Sequence, residues 1–164
     1  MVATLGFMDD EELFQVNNVV MIGHALCMFL PSWKYTKPIV LALALGYSVL
    51  YTALAAATLL SSPPEGASFA TLSGVAALFS DKAVVFAGWV HYIAFDLMVN
   101  LHVVTDAQQA GINHWFIFWT CPIVLMLGPM GLLTYYLMKF LLLGLGCGSS
   151  SDKKKTKSDA SKKK

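Results

Sequence analysis

The residues best suited to chemistry lie in one apolar stretch near the middle of the chain. Between Ala83 and Thr105 the sequence is almost free of charge, and Asp96 is the acidic residue set deep within it. A carboxyl group at such a depth in a membrane costs about 3 kcal/mol, so it is expected to face other helices and to serve a function. Carboxyl and imidazole groups can both give and take protons. The sequence therefore predicts Asp96 as a catalytic residue, assisted by His91.

Helical spacing decides which residues Asp96 can meet. At about 100° per residue, Asp96 and Asn100 share one face, whereas His91, Phe95 and His102 form a second stripe about 120° to 140° away. His91 and Asp96 are therefore not a local pair. The partner of Asp96 is expected on another helix, with six candidates: Asn17, Asn18, His24, Tyr47, Tyr51 and Thr52. The alternative is that Asp96 is a packing element, satisfied by hydrogen bonds between helices.

Several neighbours of Asp96 could contact a substrate. The predicted substrate-binding residues are Trp89, Tyr92, Phe95, Asn100 and His24, and the secondary ones are His102 and Asp106. Aromatic side chains near helix ends usually form an interfacial belt. The second interpretation is a groove for a long conjugated or isoprenoid lipid.

A metal site is the weaker hypothesis. His102 and Asp106 lie one helical turn apart, and His24, His91 and His114 could complete a ligand set. No paired-histidine motif supports this arrangement. Neither a metal nor a cofactor is expected.

The elements that position these residues are apolar helices. The chain of 164 residues is 57% hydrophobic and only 13% charged, which is far from the composition of a soluble domain. Four runs that are nearly free of charge are long enough to span a membrane, at about 13–30, 38–60, 83–105 and 115–143. The last run contains Pro122 and Gly128-Pro129, so a kinked or tilted helix is expected. The predicted fold is an all-α, multi-pass membrane protein with a bundle of four transmembrane helices, which occupies residues 13–145.

The segments outside the bundle differ in charge. Residues 1–12 form an acidic segment that lacks the basic region of a signal peptide, so no cleaved signal is expected. Apolar residues recur at helical spacing between Phe69 and Phe79, with polar residues on the other side. This pattern predicts a short interfacial amphipathic helix between the second and third spans. Residues 146–164 are predicted to be a disordered, lysine-rich tail, beside which Cys147 could carry a lipid. Four crossings place both termini on one side, and the tail lysines make that side cytoplasmic or stromal.

Partners follow from the same composition. Membrane lipid is expected around the bundle, a long conjugated or isoprenoid lipid is compatible with the aromatic residues, and an oligomer is left open. Seven of the eleven lysines lie in a terminal low-complexity segment instead of on a folded face, so nucleic acid is not an expected partner.

Several motifs together resemble a known family. They are Leu13-Phe14-Gln15 with Asn17-Asn18, Gly88-Trp89-Val90-His91-Tyr92, Phe95-Asp96-Leu97, Asp106-Ala107, Gly111-Ile112 and Leu127-Gly128-Pro129-Met130-Gly131-Leu132-Leu133. As a set they are similar to the abscisic acid-deficient four-like family, which includes a plastid protein required for neoxanthin synthesis in plants. The resemblance runs from Leu13 to Phe140. It implies a plastid membrane location in a photosynthetic eukaryote and the cell membrane otherwise.

The resemblance also implies a reaction. An epoxidised xanthophyll such as violaxanthin would open its epoxide and lose a neighbouring proton, which leaves an allene and a tertiary alcohol with no net redox change. The matched residues that would serve it are Trp89, His91, Asp96 and Asp106. Two other classes remain open: a non-catalytic carotenoid- or lipid-binding scaffold, and a small proton-coupled transporter that relays protons through intramembrane His and Asp.

Overall fold

The computed structural model describes residues 10–60 and 64–144, and this part of the chain is helical with no β-strand. The predicted tail at 146–164, Cys147 and most of the acidic segment lie outside the described residues. The helices are α1 (Asp10–Val16), α2 (Val20–Phe29), α3 (Thr36–Leu60), α4 (Leu72–Leu78), α5 (Lys82–Gln109), α6 (His114–Ile117) and α7 (Thr120–Gly144), with a 3₁₀ turn at Asn17–Val19 between α1 and α2.

Local sequence signals set the helix boundaries. Asp81 caps α5, because its carboxylate accepts hydrogen bonds from the N–H groups of Ala83 at 2.7 Å and Val84 at 3.4 Å. The same helix ends before Gly111, whose φ of 67° is a conformation that glycine adopts without strain. Thr36 begins α3, and its hydroxyl donates to the Leu30 carbonyl at 2.5 Å, which closes the turn after α2.

The longest helix, α5, lies at the centre of the fold, and α2, α3 and α7 pack around it. The helix α2 runs parallel to α5, because His24 meets Asn100 and the Pro31 carbonyl meets Gln108 further along both helices. The helix α3 runs antiparallel, since Tyr51 packs on His91 near the start of α5. The side chains buried between these helices include Val40, Leu54, Val90, Leu97 and Val104.

The last long helix reverses its direction. Leu127 has φ −146° and ψ 54°, which are not helical values, and Pro129 follows. A Cβ placed on Gly131 would lie 2.5 Å from the Val124 nitrogen and 2.7 Å from its Cα. In a continuous helix, residues seven apart are separated by about 10 Å along the axis. Therefore α7 is a hairpin, with a descending arm (120–126) and a returning arm (128–144) packed closely together.

Contacts with α5 fix the position of this hairpin. Gly128 lies against Asp96 at the middle of α5, whereas Lys139 lies against Asp106 near its end. The returning arm therefore runs parallel to α5, from the middle of the bundle outward. At the other extreme of the molecule, Phe14 packs on Phe86 near the start of α5. The beginning and the end of the described chain consequently lie at opposite ends of α5.

This arrangement bears on the predicted number of transmembrane helices. The structure is all-helical, and three helices are long and apolar enough to cross a membrane: residues 36–58, α5 and α7. A shorter apolar helix covers Phe14–Phe29. However, α7 turns back at Leu127 instead of traversing the bundle, so the four-helix bundle is not confirmed. The prediction that both termini share one side concerns residues outside the described ranges and stays a prediction.

The two ends of the bundle differ in charge. We call the end at which α5 begins the acidic end, because within the described residues it carries Glu11, Glu12, Glu65 and Asp81 against one cation, Lys82. The end at which α5 finishes is called the lysine end, since it carries Lys34, Lys37 and Lys139 against Asp106. The short helix predicted at 69–79 is present as α4 at the acidic end, where Thr71 caps it and Phe69 and Leu72 are exposed.

Candidate functional site

The tip of the α7 hairpin brings a broken helix to the carboxyl group of Asp96. Asp96 lies at the middle of α5 and is only 4% exposed. Its carboxyl group packs directly on Gly128, and a side-chain carbon at position 128 would overlap with Oδ1. Gly128 starts the returning arm, and the first N–H groups of a helix have no acceptor within that helix. A carboxyl group at this position meets the positive end of the helix dipole.

Tyr92 completes the contact with the hairpin. It lies one turn before Asp96 on α5 and beside the carboxyl group of Asp96. Its hydroxyl donates to the Met126 carbonyl at 2.8 Å, with the Leu125 carbonyl at 3.5 Å. These carbonyls end the descending arm and lose their helical partners at the reversal. Non-helical backbone at membrane depth is tolerated where protein groups satisfy it, and Tyr92 supplies such a group.

A second polar pair lies one turn beyond Asp96. Asn100 is fully buried, and its Nδ2 donates to Nδ1 of His24 on α2 at 2.8 Å. This leaves Nε2 of His24 as the ring nitrogen that carries hydrogen in the neutral imidazole. His24 is 4% exposed, so the pair is enclosed between α2 and α5.

Three polar atoms of this group have no hydrogen-bond partner. They are Oδ2 of Asp96, Oδ1 of Asn100 and Nε2 of His24, and each is buried. Asn17, in the 3₁₀ turn before α2, is also buried and leaves both of its side-chain polar atoms unpaired. Buried polar groups are nearly always satisfied, so an unpaired set suggests a bound molecule with matching groups. Nε2 of His24 donates, Oδ1 of Asn100 accepts, and the Asp96 carboxyl group can do either according to its protonation, so the set suits a hydroxyl group or a water molecule.

The wall of α5 below the hairpin tip is open. Because α7 turns back at the level of Asp96, it leaves uncovered the face of α5 towards the acidic end. Val85 is exposed there, Trp89 is 46% exposed, and the Trp89 ring lies 5.7 Å from that of Tyr92. Phe14 flanks Trp89 at 6.1 Å between ring centroids. An aromatic wall therefore leads from the apolar exterior to the hairpin tip.

The other predicted residues lie away from this site. His91 is exposed on a different face of α5, where its ring lies 4.7 Å from that of Phe95 and 5.0 Å from that of Tyr51. Phe95 is exposed as well. The structure thus brings Asp96, Asn100, Tyr92 and His24 to one region, and does not bring His91 to Asp96.

His102 and Asp106 belong to the lysine end. His102 shares a hydrogen bond of 2.9 Å with the Tyr136 hydroxyl. Asp106 accepts hydrogen bonds from the Tyr135 hydroxyl and from Lys139, both at 2.5 Å. Both residues therefore anchor the returning arm to α5. Within the described chain, no group of three or more His, Cys, Asp or Glu side chains is placed to hold a metal ion.

Comparison with known proteins adds the family. Residues 12–135 match the model of the ABA4-like family, whose description is ABA DEFICIENT 4-like. The chain belongs to the ABA4-like family. The region matched to the ABA4-like model contains Asp96, His24, Asn100 and the hairpin tip, and it stops before Lys139. Searches of curated proteins and of solved structures gave no match.

Sequence reasoning missed two contacts of this ABA4-like site. Neither the approach of Gly128 to Asp96 nor the bond from Tyr92 to the Met126 carbonyl was predicted. The Gly128-Pro129 pair was the available signal, because it marked a broken helix at membrane depth. None of the six expected partners hydrogen-bonds Asp96; His24 instead pairs with its neighbour Asn100, and Tyr47 with the carbonyls of Val16 and Asn17.

Proposed function

We propose that the protein isomerises the epoxide of a xanthophyll, with Asp96 as both the acid and the base. The observation that carries this proposal is the buried, unpaired Oδ2 of Asp96 at the tip of a broken helix. Membership of the ABA4-like family supports a role in carotenoid metabolism. The finer assignment, to the neoxanthin type of reaction, rests on the fit between this carboxyl group and the chemistry required.

One carboxyl group can carry the whole proton balance. As the neutral acid, Asp96 gives its proton to the epoxide oxygen while the bond between that oxygen and the ring carbon next to the polyene breaks. The oxygen stays on the neighbouring ring carbon as a tertiary alcohol. The carboxylate then removes the proton from the first polyene carbon, whose electrons form the allene. One proton is given and one is taken, so no electron carrier is needed.

The surroundings of Asp96 suit such a substrate. The aromatic wall of Trp89, Tyr92 and Phe14 offers a flat apolar surface on which a conjugated chain can lie. One turn from Asp96, Oδ1 of Asn100 is an unpaired acceptor and Nε2 of His24 is an unpaired donor. These two atoms fit a hydroxyl group on the same ring as the epoxide. His91 and Phe95 take no part in this scheme, because they lie on another face of α5.

The test compares Asp96→Asn with His91→Gln in proteoliposomes that contain violaxanthin. An amide keeps the shape and hydrogen-bonding capacity of Asp96 but cannot transfer a proton at neutral pH. We expect Asp96→Asn to fold and to give no turnover, and His91→Gln to retain the activity of the wild type. Separation of products by liquid chromatography measures turnover, and circular dichroism during heating measures folding.

Two results would contradict the proposal. Turnover by Asp96→Asn would show that Asp96 is a packing residue that fixes the hairpin. A wild-type protein that binds xanthophyll without converting it would support the scaffold alternative. In a photosynthetic eukaryote the proposed activity would be located in a plastid membrane.

A further inference from the structure

We propose that the protein binds an anionic glycerophospholipid in a groove between α3 and α5 at the lysine end. This site is separate from Asp96 and independent of the proposed reaction. It is a groove of about 320 Å³ lined by Lys37, Pro38 and Leu41 of α3 and by Met98, Leu101, His102 and Thr105 of α5. The volume is at the lower end of the range for ligand pockets, so the groove suits part of a lipid chain with its head outside.

The groove has an apolar part and a polar part. Leu41, Met98 and Leu101 lie towards the middle of the helices, where an acyl chain would pack. Lys37 and Thr105 lie at the lysine end, where a headgroup would be. The polarity of the groove therefore runs in the same direction as that of a membrane lipid.

Aromatic residues mark the depth of the polar part. Trp33 and Tyr35 are both exposed just before α3, and their rings pack edge to face at 5.1 Å. Exposed Trp and Tyr at a helix end are typical of the headgroup level of a bilayer. Lys37 follows two residues later, so its ammonium group can reach the phosphates.

The charge around the groove favours an anion. Lys34 lies over the Tyr35 ring at 4.7 Å from its centroid, and Lys37 has no carboxylate partner within the described chain. The acidic residue at this end, Asp106, is neutralised by its ion pair with Lys139. The first turn of α3, a helix of 25 residues, adds the positive end of its dipole. A phosphate without a compensating choline fits these features better than a zwitterionic head does.

The experiment measures how much phosphatidylglycerol the full-length protein retains from vesicles of equal parts phosphatidylglycerol and phosphatidylcholine. Native mass spectrometry counts each lipid on the protein after mild detergent extraction. We expect the wild type to retain phosphatidylglycerol preferentially, and Lys37→Gln to lower that retention about fivefold, the effect of one lysine near an anionic surface. Lys82→Gln, which removes a lysine at the acidic end, should leave it unchanged.

Two further variants make the result specific to the groove. Leu101→Trp fills the apolar part while keeping every charge, and should lower the retention of both lipids. Replacing the seven tail lysines by Gln should leave the retention that depends on Lys37 intact. The proposal is wrong if Lys37→Gln and Lys82→Gln behave alike, if phosphatidylcholine is retained as well as phosphatidylglycerol, or if the tail variant alone abolishes the preference.

Discussion

The close contact between the two arms of α7 can be tested with a single methyl group. Gly131→Ala places a carbon against the backbone nitrogen and Cα of Val124, at 2.5 and 2.7 Å. Backbone atoms of a packed helix cannot move aside as a flexible side chain can, so the arms must separate. Overpacking of this kind costs about 1 to 3 kcal/mol. Alanine also gains about 1 kcal/mol over glycine within a helix.

The two effects together give a net loss of between about 0 and 2 kcal/mol for Gly131→Ala. Two matched controls lack the clash: Gly46 in α3 and Gly144 at the end of α7 have no neighbouring atom within 4 Å of the added carbon. Gly46→Ala should therefore gain up to about 1 kcal/mol, and Gly144→Ala should change little. The gain in helix propensity is common to both variants, so the expected difference between Gly131→Ala and Gly46→Ala is the overpacking cost of about 1 to 3 kcal/mol.

Reversible unfolding in mixed micelles, followed by circular dichroism as denaturing detergent is added, measures these differences. Val124→Ala combined with Gly131→Ala should not restore stability, because the nearest obstructing atoms include the Val124 backbone. If Gly131→Ala is as stable as Gly46→Ala, the arms do not pack together. In that case α7 would continue straight, and the position assigned to the hairpin tip would be wrong.

Three further predictions concern the hairpin. Gly128→Ala places a carbon that overlaps with Oδ1 of Asp96 and lies 2.9 Å from its Cγ, so it should displace the carboxyl group and reduce xanthophyll turnover by at least tenfold; unchanged turnover would contradict the site. Single cysteines at Ser32 and Ser151 should react with an impermeant maleimide from the same side of a vesicle, and labelling from opposite sides would restore the four-crossing prediction. Lys139→Met should destabilise the protein by about 1 kcal/mol in the unfolding assay, because Asp106 loses its partner at a partly exposed site.

The helices and the depth of the polar residues could be predicted from the sequence, because composition and length decide whether a segment prefers a bilayer. The prediction that Asp96 and Asn100 share a face, with His91 elsewhere, is confirmed, since it depends only on helical periodicity. The pairing of His24 with Asn100 could not be predicted, because it depends on the axial register of α2 against α5. Packing at Gly23, where a Cβ would lie 2.7 Å from the Leu97 side chain, contributes to that register.

The reversal of α7 could not be predicted either, but the reason is different. The run from Trp115 to Leu143 has the length and hydropathy of a membrane span, and these properties are the same for a rod and for a hairpin. Only the energy of the broken backbone separates the two, and that energy depends on whether another helix offers partners for the freed carbonyls. Tyr92 offers them from α5, and it is separated from Met126 by 34 positions in the sequence. A pattern within one segment cannot contain this information.

The bond between Tyr92 and the Met126 carbonyl has a consequence for the order in which the protein assembles during synthesis. The descending arm has seven residues, about 10 Å of helix, which is too short to partition into a bilayer as a separate insertion unit. Its last carbonyls would be without partners in lipid until Tyr92 is in place. The ribosome makes α5 first, so the scaffold precedes the segment that needs it. A circular permutant that begins at α6 would reverse this order. Its hairpin would be made before α5 and could not insert into the membrane until Tyr92 had been made.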